Sequence, residues 1–389
     1  MTEAASYKLI SCDDHLDLGY LPRDVWTKRL PTKFASRAPH VEERDGRSVW
    51  ISDGKMWGGS LGNWAGIKVT SNAPPPYLTA LNRGGHWDAS EMRPGNLKLR
   101  LEDMDRDGVY VQSLFGPITS ILADDAEFRD ACHSAYNDWL AEFIADSPAP
   151  ERFMGVPMLP WGPESATAEL RRLAAEGRFK QANLQLNGAD PRISDPAWEQ
   201  FWNALEETGM ILSFHVAAFA GKPPRPDPAQ GTYAGTFSIT KNFVGAFLDP
   251  FVDLFAWGIL ERHPKVRIVL AECGTGWLPW VVEELDYRHW RLWEAKDFWA
   301  DKGGIPLKDK PSDVFRRQIY PTFQEDHAAM ALVKFYGEDN LMWGSDYPHP
   351  DSVWPDSKGA IERQMGDFSP ELRKKITHDN AARLYGLSV

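Results

Sequence analysis

The chain has 389 residues, of which 43% are hydrophobic and 12% aromatic, and its formal net charge is −12. This length is sufficient for one large α/β domain or two smaller ones. Nucleic acids and anionic membrane surfaces bind clustered positive charge, and the sequence contains no basic run, so we expect neither as a partner. No segment approaches the roughly 20 apolar residues of a membrane span. The start of the sequence lacks the pattern of a secretory signal, and the three cysteines show no CxxC spacing. We therefore expect the protein to be in the reducing cytoplasm.

Short apolar segments alternate with helical patterns along most of the chain. Apolar residues repeat at helical spacing between many of these segments, for example over 125–147, 163–177 and 195–209. This alternation predicts a parallel sheet, and about eight such units favour a single closed (β/α)8 TIM barrel over residues 1–389. The glycine-rich phosphate loops of open-sheet folds are absent from the sequence. The strand-like segments are 7–15, 109–117, 152–160, 179–188, 210–216, 266–274 and 340–346.

Two stretches interrupt this alternation. Residues 18 to about 100 contain RDGRSVWISDGKMWGGSLGNW, which predicts a small β-hairpin insertion after the first strand, and residues 218–240 form a Pro/Gly-rich loop. Both follow strand C-termini, where barrel enzymes build their active sites. We therefore expect both to contact substrate, the insertion as a lid; an oligomer contact is the alternative.

Polar residues stand at the ends of four predicted strands. Asp13 and His15 are two residues apart and therefore lie on the same face of the first strand. The interiors of parallel barrel strands are normally apolar, and three uncompensated carboxylates in one cavity would repel each other. A divalent cation removes that cost. The predicted ligands are Asp13, His15, His215, Glu272 and Asp346.

The predicted ligand set restricts the metal. Two imidazoles with three carboxylates suit Zn²⁺, Mn²⁺ or Fe²⁺, as one ion or as two bridged by a carboxylate. His349, three residues after Asp346, is a further ligand, an acid just outside the ligand set, or a residue that only fixes the Asp346 loop. Cys12 and Cys273 lie beside predicted ligands, and we expect both to be small buried strand residues rather than nucleophiles.

The strand ends and the C-terminal segment together resemble a known family, the amidohydrolase superfamily. The resemblance is to the branch that contains the aminocarboxymuconate-semialdehyde and resorcylate-type decarboxylases, and it covers nearly the whole chain except the early insertion. It implies a metal-dependent barrel enzyme. The matching segments are SCDDH (11–15), LSFH (212–215), HP with RIVLAECG (263–274), GSDYPH (344–349) and DNAARLYG (379–386).

The sequence departs from the family pattern at two of these positions. Asp13 replaces the first histidine of the HxH motif, and Glu272 replaces the sixth-strand histidine that is the proposed proton donor and acceptor of the family's decarboxylases. The fourth-strand segment QANLQLNG also has no lysine at its end, so no carboxylated-lysine bridge is expected.

The leading hypothesis from the sequence is metal-assisted hydrolysis of a small organic, possibly aromatic, substrate. A metal-activated water attacks the substrate, Asp346 or Glu272 is the general base, and His349 completes the predicted catalytic set. The first alternative is non-oxidative decarboxylation of an aromatic or unsaturated acid, with His349 as the acid. The second is oxygen activation at a dinuclear Fe or Mn/Fe centre. The third is a non-catalytic barrel that supports a partner subunit.

Further expectations concern partners and the pocket wall. The partner is a small-molecule substrate, and the chain is expected to form a homo-oligomer, most simply a dimer, or to pair with a paralogous subunit. His327 is predicted at a solvent-facing helix N-terminus rather than in the pocket. Tryptophans on loops or just past strand ends are candidates for stacking on a flat substrate, namely Trp57, Trp64, Trp277 and Trp354.

Overall fold

The computed structural model describes residues 7–44, 47–56, 93–117, 123–186, 188–216, 240–300, 307–349 and 352–389. The strands are β1 (Leu9–His15), β2 (His40–Arg44), β3 (Arg47–Ser52), β4 (Lys55–Met56), β5 (Val109–Phe115), β6 (Phe153–Val156), β7 (Gln181–Asn183), β8 (Ile211–His215), β9 (Ile268–Ala271), β10 (Ile319–Phe323) and β11 (Met342–Trp343).

The helices lie between and after these strands. They are α1 (Leu97–Asp107), α2 (Ala126–Ala145), α3 (Pro163–Glu176), α4 (Glu199–Thr208), α5 (Thr240–Gly245), α6 (Leu248–Ala256), α7 (Ile259–Arg262), α8 (Leu278–Trp293), α9 (Lys296–Ala300), α10 (Pro311–Gln318), α11 (His327–Ala331), α12 (Val333–Tyr336), α13 (Ser357–Met365), α14 (Pro370–Lys374) and α15 (Asn380–Tyr385).

The parallel strands close into a barrel. One run pairs β1, β5 and β6, and another pairs β7, β8, β9, β10 and β11 in that order. A parallel bridge between Met158 and Asn183 joins β6 to β7, and one between Asp14 and Tyr347 joins β11 back to β1. Within the described residues the ring therefore has eight parallel strands. The predicted (β/α)8 barrel is confirmed.

Alternating side chains of the strands build two separate cores. On β1, for example, Leu9 belongs to the large core under the helices, whereas Ile10 and Cys12 belong to the smaller core inside the barrel. The β1–β5 register shifts between Ser11 and Asp14, so the alternation of faces is broken at the predicted ligand Asp13. The three cysteines are buried and unpaired, as expected of small packing residues.

An antiparallel sheet of β2, β3 and β4 follows the first barrel strand, which confirms the predicted β insertion. Trp50 anchors it, because its indole N–H donates to the Leu18 carbonyl (2.9 Å). Arg37 bonds Asp53 in the turn between β3 and β4 and Asp125 at the start of α2 (both 2.7 Å). The insertion is therefore fixed to the helical layer, and its role as a lid stays a prediction.

Two other expectations lie wholly or partly outside the described residues: the loop over 218–240, of which only the last residue is described, and Trp57 with Trp64. Among the helices that are described, none combines the length and the apolar character needed to cross a membrane.

Candidate metal centre

The five predicted ligands meet at the C-terminal mouth of the barrel. Asp13 and His15 are in β1, His215 ends β8, Glu272 directly follows β9, and Asp346 lies three residues after the end of β11. All five side chains are buried. Within the described part of the chain, the donor groups that can share an ion are His15, Glu272, Asp346 and His349, and the overlapping set Asp13, His15 and His215.

The donor atoms of these side chains are spaced like ligands of one ion. His15 Nε2 lies 3.2 Å from Asp346 Oδ1 and 3.5 Å from Asp13 Oδ1. His215 Nε2 lies 3.3 Å from Asp13 Oδ1 and 3.6 Å from Glu272 Oε2. Ligands about 2.1 Å from a metal at tetrahedral or octahedral angles are themselves about 3.0–3.5 Å apart. The cluster is therefore already contracted to the size that a divalent ion requires.

The two carboxylates that follow β9 and β11 have an unusual backbone. Glu272 has φ 49° and Asp346 has φ 60°, the left-handed region that residues other than glycine rarely adopt. Such conformations cost about 1–3 kcal/mol each and concentrate at functional sites. Here both occur where the chain leaves a barrel strand and presents a carboxylate to the cluster.

Glycine at position 344 permits the close approach of two ligand-bearing strands. A Cβ atom on Gly344 would lie 2.6 Å from the Cβ of Asp13, a separation that side chains do not tolerate. The backbone then continues with the Asp346 amide donating to the Asp13 carbonyl (2.8 Å). A larger residue at 344 would separate Asp13 from Asp346.

His215 is held in an orientation suited to ligation. Its Nδ1 lies 2.6 Å from the carbonyl oxygen of Val216, so in the neutral imidazole Nδ1 carries the proton and Nε2 carries the lone pair. That lone pair faces the Asp13 and Glu272 carboxylates. Burial raises the pKa of Asp13, but the His215 and His15 imidazoles lower it well below its usual range, so Asp13 is an anion at neutral pH. Without a metal, a proton on Nε2 bridges His215 and Asp13 (3.3 Å), and a divalent ion would take the place of that proton.

The polar atoms of His15 and Asp346 provide an independent test of whether a metal fits. Both nitrogens of His15 and both carboxylate oxygens of Asp346 are buried without a partner in hydrogen-bonding geometry among the described residues. Leaving a buried polar group unsatisfied costs about 1–3 kcal/mol, and more when the group is charged. A divalent ion would satisfy His15 Nε2 and the Asp346 carboxylate at once, so these residues fit a metal; His15 Nδ1 lies on the other edge of the ring, away from such an ion.

His349 lies behind this cluster between two carboxylates. Its Nδ1 is 3.0 Å from Asp346 Oδ1, its Nε2 is 3.0 Å from Asp17 Oδ2, and its ring stacks on His15 with centroids 3.9 Å apart. Burial lowers the pKa of His349, but Asp346 and Asp17 outweigh it and raise that pKa well above its usual value. His349 therefore carries a proton at neutral pH. Asp17 was not predicted; its spacing of two residues from His15 was the available sequence signal.

A second buried network supports the ligand strands from behind. The guanidinium of Arg100, on α1, donates to the His15 carbonyl (2.8 Å) and to Gln112 Oε1 (2.7 Å), and Gln112 donates in turn to Asp14 Oδ1 (3.1 Å). Burial raises the pKa of Asp14 to about 8, although Arg100 and Ser345 lower it, so this carboxyl group is protonated at neutral pH. Sequence reasoning identified none of these supporting residues except Asp14 as part of a motif.

The wall beside the cluster is apolar and aromatic. The ring centroid of Phe115 lies 4.9 Å from that of His215 and 5.9 Å from that of His15. A small pocket continues from there along Met158, Asn183 and Val216. A flat organic substrate would find apolar surface directly beside the donor cluster.

The other predicted pocket residues have structural roles. His327 begins α11 with 65% of its side chain exposed, which confirms its predicted surface position. The indole of Trp277 donates to the Cys273 carbonyl (3.0 Å). Trp354 is buried, donates to the Asp103 carbonyl (3.2 Å) and packs edge-on against Tyr347.

Comparison with known proteins identifies the class of this barrel. The amidohydrolase family model (Amidohydro_2) matches residues 81–387, so the chain belongs to the amidohydrolase family. The chain is 26% identical over 325 residues to gamma-resorcylate decarboxylase of Rhodococcus jostii (strain RHA1), covering 78% of this chain and 92% of the relative.

Solved structures agree on the fold. An amidohydrolase from Mycobacterium avium subsp. paratuberculosis K-10 superposes with a TM-score of 0.72 at 20% identity, covering 98% of this chain and all of that one. The manganese complex of 5-carboxyvanillate decarboxylase from Novosphingobium aromaticivorans DSM 12444 superposes with a TM-score of 0.63 at 21% identity, covering 80% and 91%. The protein is thus a metal-dependent enzyme of the amidohydrolase superfamily, with a buried cluster suited to a divalent ion.

These comparisons correct the leading functional hypothesis. Hydrolysis by a metal-activated water was wrong, because the similar proteins of known activity are non-oxidative decarboxylases of aromatic and related acids. The role of general base, which was predicted for Asp346 or Glu272, was part of the hydrolysis hypothesis. The error has a physical reason: a buried ion held by histidines and carboxylates polarises an ester, an amide or a carboxylate equally well.

Proposed function

We propose that this protein is a metal-dependent non-oxidative decarboxylase of a hydroxylated aromatic acid. The observation that carries the proposal is the position of His349, whose imidazole lies 3.0 Å from both the Asp17 and the Asp346 carboxylates next to the donor cluster. A decarboxylase needs a proton donor at this place, because the carbon that loses CO₂ must gain a proton. The similarity to gamma-resorcylate decarboxylase over most of both chains supports the same reaction class.

We assign the metal to Asp13, His15, His215, Glu272 and Asp346. The spacing of their donor atoms and the orphaned atoms of His15 and Asp346 support this assignment. When bound, the ion supplies a Lewis acid that chelates the substrate carboxylate and an adjacent hydroxyl group. The predictions of Zn²⁺, Mn²⁺ or Fe²⁺ and of one ion or two stay open, and the manganese of the related decarboxylase structure favours Mn²⁺.

The residues of this chain supply the proton. His349 donates a proton to the ring carbon that bears the carboxylate, after which the bond between ring and carboxylate carbon breaks and CO₂ leaves. Solvent returns one proton to His349, so the sum is acid to arene plus CO₂. Asp17 holds the imidazole in place through Nε2 (3.0 Å).

The assignment accounts for the main departure from the family pattern. The related decarboxylases are expected to use a sixth-strand histidine, which is Glu272 here. As a carboxylate 3.6 Å from His215 Nε2, Glu272 is suited to hold a cation rather than to donate a proton. His349 takes over the acid role in this proposal, and Phe115 provides an apolar face for the ring.

The test uses protein loaded with Mn²⁺ and a panel of ortho-hydroxylated benzoates that includes 2,6-dihydroxybenzoate. We expect equal amounts of phenol and CO₂, and in D₂O one deuterium at the carbon that lost the carboxylate. His215→Ala should lose its metal and at least a hundredfold in rate. His327→Ala, which removes an exposed histidine, should match the wild type.

The decisive measurement is CO₂ release by folded protein with stoichiometric metal. If no member of the panel is decarboxylated under that condition, the proposed reaction is wrong. If decarboxylation occurs but His215→Ala keeps both metal and rate, the reaction stands and the ligand assignment is wrong.

A further inference from the structure

The pocket beside the donor cluster extends from the mouth into the barrel. Phe115 and His215 border it on the side of the cluster, and Met158, Asn183 and Val216 complete its wall. We call this space the inner pocket and define it by these five residues. Since it begins at a proposed metal ligand, a substrate that binds at the centre through its carboxylate can place another substituent in it.

Asn183 lies deeper in the barrel than His215. The β7–β8 register pairs Asn183 with Ser213, and His215 is two residues further toward the mouth on the same face of β8. Two residues of a strand span about 6.6 Å, which is the scale of a substituted benzene ring. A substituent of the ring can therefore reach Asn183 while the carboxylate stays at the level of His215.

The inner pocket has room for one small group. The centre of a water-sized group can move within about 10 Å³ there, and a site for a single water molecule needs about 10–15 Å³ of such volume. A hydroxyl or a methyl substituent is of this size, whereas a methoxy group or a second carboxylate is larger. Size alone therefore restricts the substituent to a group with one heavy atom.

The side chain of Asn183 is held so that its nitrogen is available to the pocket. The backbone is fixed on both sides, because its N–H donates to the Pro157 carbonyl and its carbonyl accepts from the Leu159 N–H (both 2.8 Å). The amide Oδ1 accepts from the Ser213 hydroxyl (3.2 Å). Within the described part of the chain, Nδ2 has no acceptor in hydrogen-bonding geometry, and the residue lines the pocket with 8% of its surface exposed. An amide nitrogen carries two donors, and both can serve a group in the inner pocket.

The wall of the inner pocket favours a neutral polar group. Among the described residues that line it there is no Lys, Arg, Asp or Glu, and His215 is the only one that titrates. A charged substituent would lose its hydration there without an opposite charge to replace it. A methyl group would leave the Asn183 amide without a partner, which is unfavourable for a buried donor. A hydroxyl group matches both the size and the polarity of the site.

We propose that the inner pocket binds a second hydroxyl group of the substrate ring and that the Asn183 amide selects it. The substrate is then a benzoate with at least two hydroxyl groups, one at the metal and one at Asn183, with its ring against Phe115. This inference rests on the proposed decarboxylation of a hydroxylated aromatic acid and narrows its substrate class. Asn183 is the residue that determines specificity.

The test compares pairs of 2-hydroxybenzoates that differ in one further substituent, hydroxyl or methyl, at each of the four remaining ring positions. The two substituents are similar in size, so a difference between them reports hydrogen bonding. With protein loaded with Mn²⁺, we expect one ring position at which the hydroxyl compound has at least a tenfold higher kcat/KM than the methyl compound.

Two variants assign this preference to Asn183. Asn183→Leu should abolish it, because leucine fills a similar volume without an N–H group. Asn183→Ala should enlarge the pocket and raise kcat/KM for the methoxy compound at the same ring position above that of the wild type. Such a gain of activity cannot result from misfolding.

Asn340→Leu is the matched control. Asn340 is also buried, but its Nδ2 donates to the carbonyl of Ile319 at the start of β10 (3.0 Å), at the end of the barrel opposite the mouth. This variant should keep the wild-type ratio of the two kcat/KM values, since a ratio does not depend on the amount of folded protein.

Titration calorimetry of the same compounds separates failure of this inference from failure of the proposed function. Tighter binding of the hydroxyl compound without release of CO₂ would support the pocket assignment and refute the reaction. Equal kcat/KM values for hydroxyl and methyl compounds at all four positions would overturn the inference and leave the decarboxylation intact. A hydroxyl preference that Asn183→Leu retains would overturn it as well, and absence of binding for every compound would overturn both.

Discussion

At the scale of single residues, two of the proposed metal ligands have a strained backbone conformation. Glu272 and Asp346 both adopt positive φ values, at about 1–3 kcal/mol each. Both carboxylates are also buried, which is costly for an ion without a partner. Among the described side chains, His349 compensates part of this negative charge through Asp346 (3.0 Å), and a divalent ion would compensate the rest. An ion bound by the folded state, as proposed above, would account for both the strain and the charge.

The role of His349 leads to a prediction for His349→Gln. Glutamine preserves hydrogen bonding to Asp17 but holds no transferable proton, so we expect kcat to fall about 10²–10⁴-fold with metal content unchanged. The raised pKa of His349 means that the protonated form prevails at neutral pH. Activity of the wild type should therefore fall as the pH rises through that pKa. The residual activity of His349→Gln should not show this decrease at alkaline pH.

Measuring the metal content of the variant together with its pH–rate profile distinguishes a proton donor from a metal ligand. If His349→Gln loses metal in proportion to activity, His349 is a ligand and not the acid. If the variant keeps its metal and also its full kcat, another group delivers the proton.

At the scale of elements, one helix residue connects the barrel strands that carry the ligands. Arg100 on α1 donates to the carbonyl of His15 on β1 (2.8 Å) and approaches the carbonyl of Tyr347 after β11 (3.5 Å), with its guanidinium 4.8 Å from the Tyr347 ring centroid. These two strands bear Asp13, His15 and Asp346. We therefore propose that Arg100 is a positioning residue, which would act on a bound metal through the backbone.

We predict that Arg100→Lys weakens Mn²⁺ binding about 10–100-fold, because lysine keeps the charge but not the fork of donors. Arg152→Lys is the matched control. Arg152 likewise donates to backbone carbonyls, those of Val109 and Tyr110 (3.0 and 2.9 Å), but at the N-terminal end of β5, away from the centre. Titration calorimetry with Mn²⁺ measures both affinities.

Denaturant unfolding of the metal-free proteins shows whether Arg100 acts on position or only on stability. Equal losses of stability in the two variants, with weaker Mn²⁺ binding in Arg100→Lys alone, support the positioning role. Equal Mn²⁺ affinities would contradict it.

At the scale of the whole molecule, the centre joins strand ends that are distant in the chain. Asp13 and Asp346 are separated by 333 positions in sequence, yet the Asp346 amide donates to the Asp13 carbonyl, and β11 closes the ring onto β1 through the bridge of Asp14 and Tyr347. An ion bound by both of these strand ends would also hold the barrel closed. Metal binding and global stability are therefore linked.

This linkage predicts that removal of metal lowers the unfolding temperature. Mn²⁺ at 100 times its dissociation constant should add about 2.7 kcal/mol to the free energy of unfolding, and chelation should remove it. His215→Ala should show a much smaller response to Mn²⁺ than the wild type. Differential scanning fluorimetry with and without chelator measures the shift. An equal Mn²⁺ response in His215→Ala would place the stabilising ion elsewhere.

The sequence alone determined the barrel and the positions of its polar strand ends. Apolar strands alternating with helices are local patterns, and a polar residue at the end of such a strand is visible without any contact information. For the same reason the β insertion, the buried cysteines and the surface position of His327 were predictable. The family resemblance rested on the same strand ends.

Only the tertiary structure decided which residues surround those ends. The placement of His349 between Asp17 and Asp346, and that of Arg100 across β1 and β11, depend on barrel closure and on the register shift in β1, which involve contacts between distant segments. The type of reaction could not be read from the local sequence either, because the same set of metal ligands can serve hydrolysis and decarboxylation. Sequence patterns specify which groups reach the mouth of the barrel, whereas packing specifies where each proton lies and which groups hold the ligands in place.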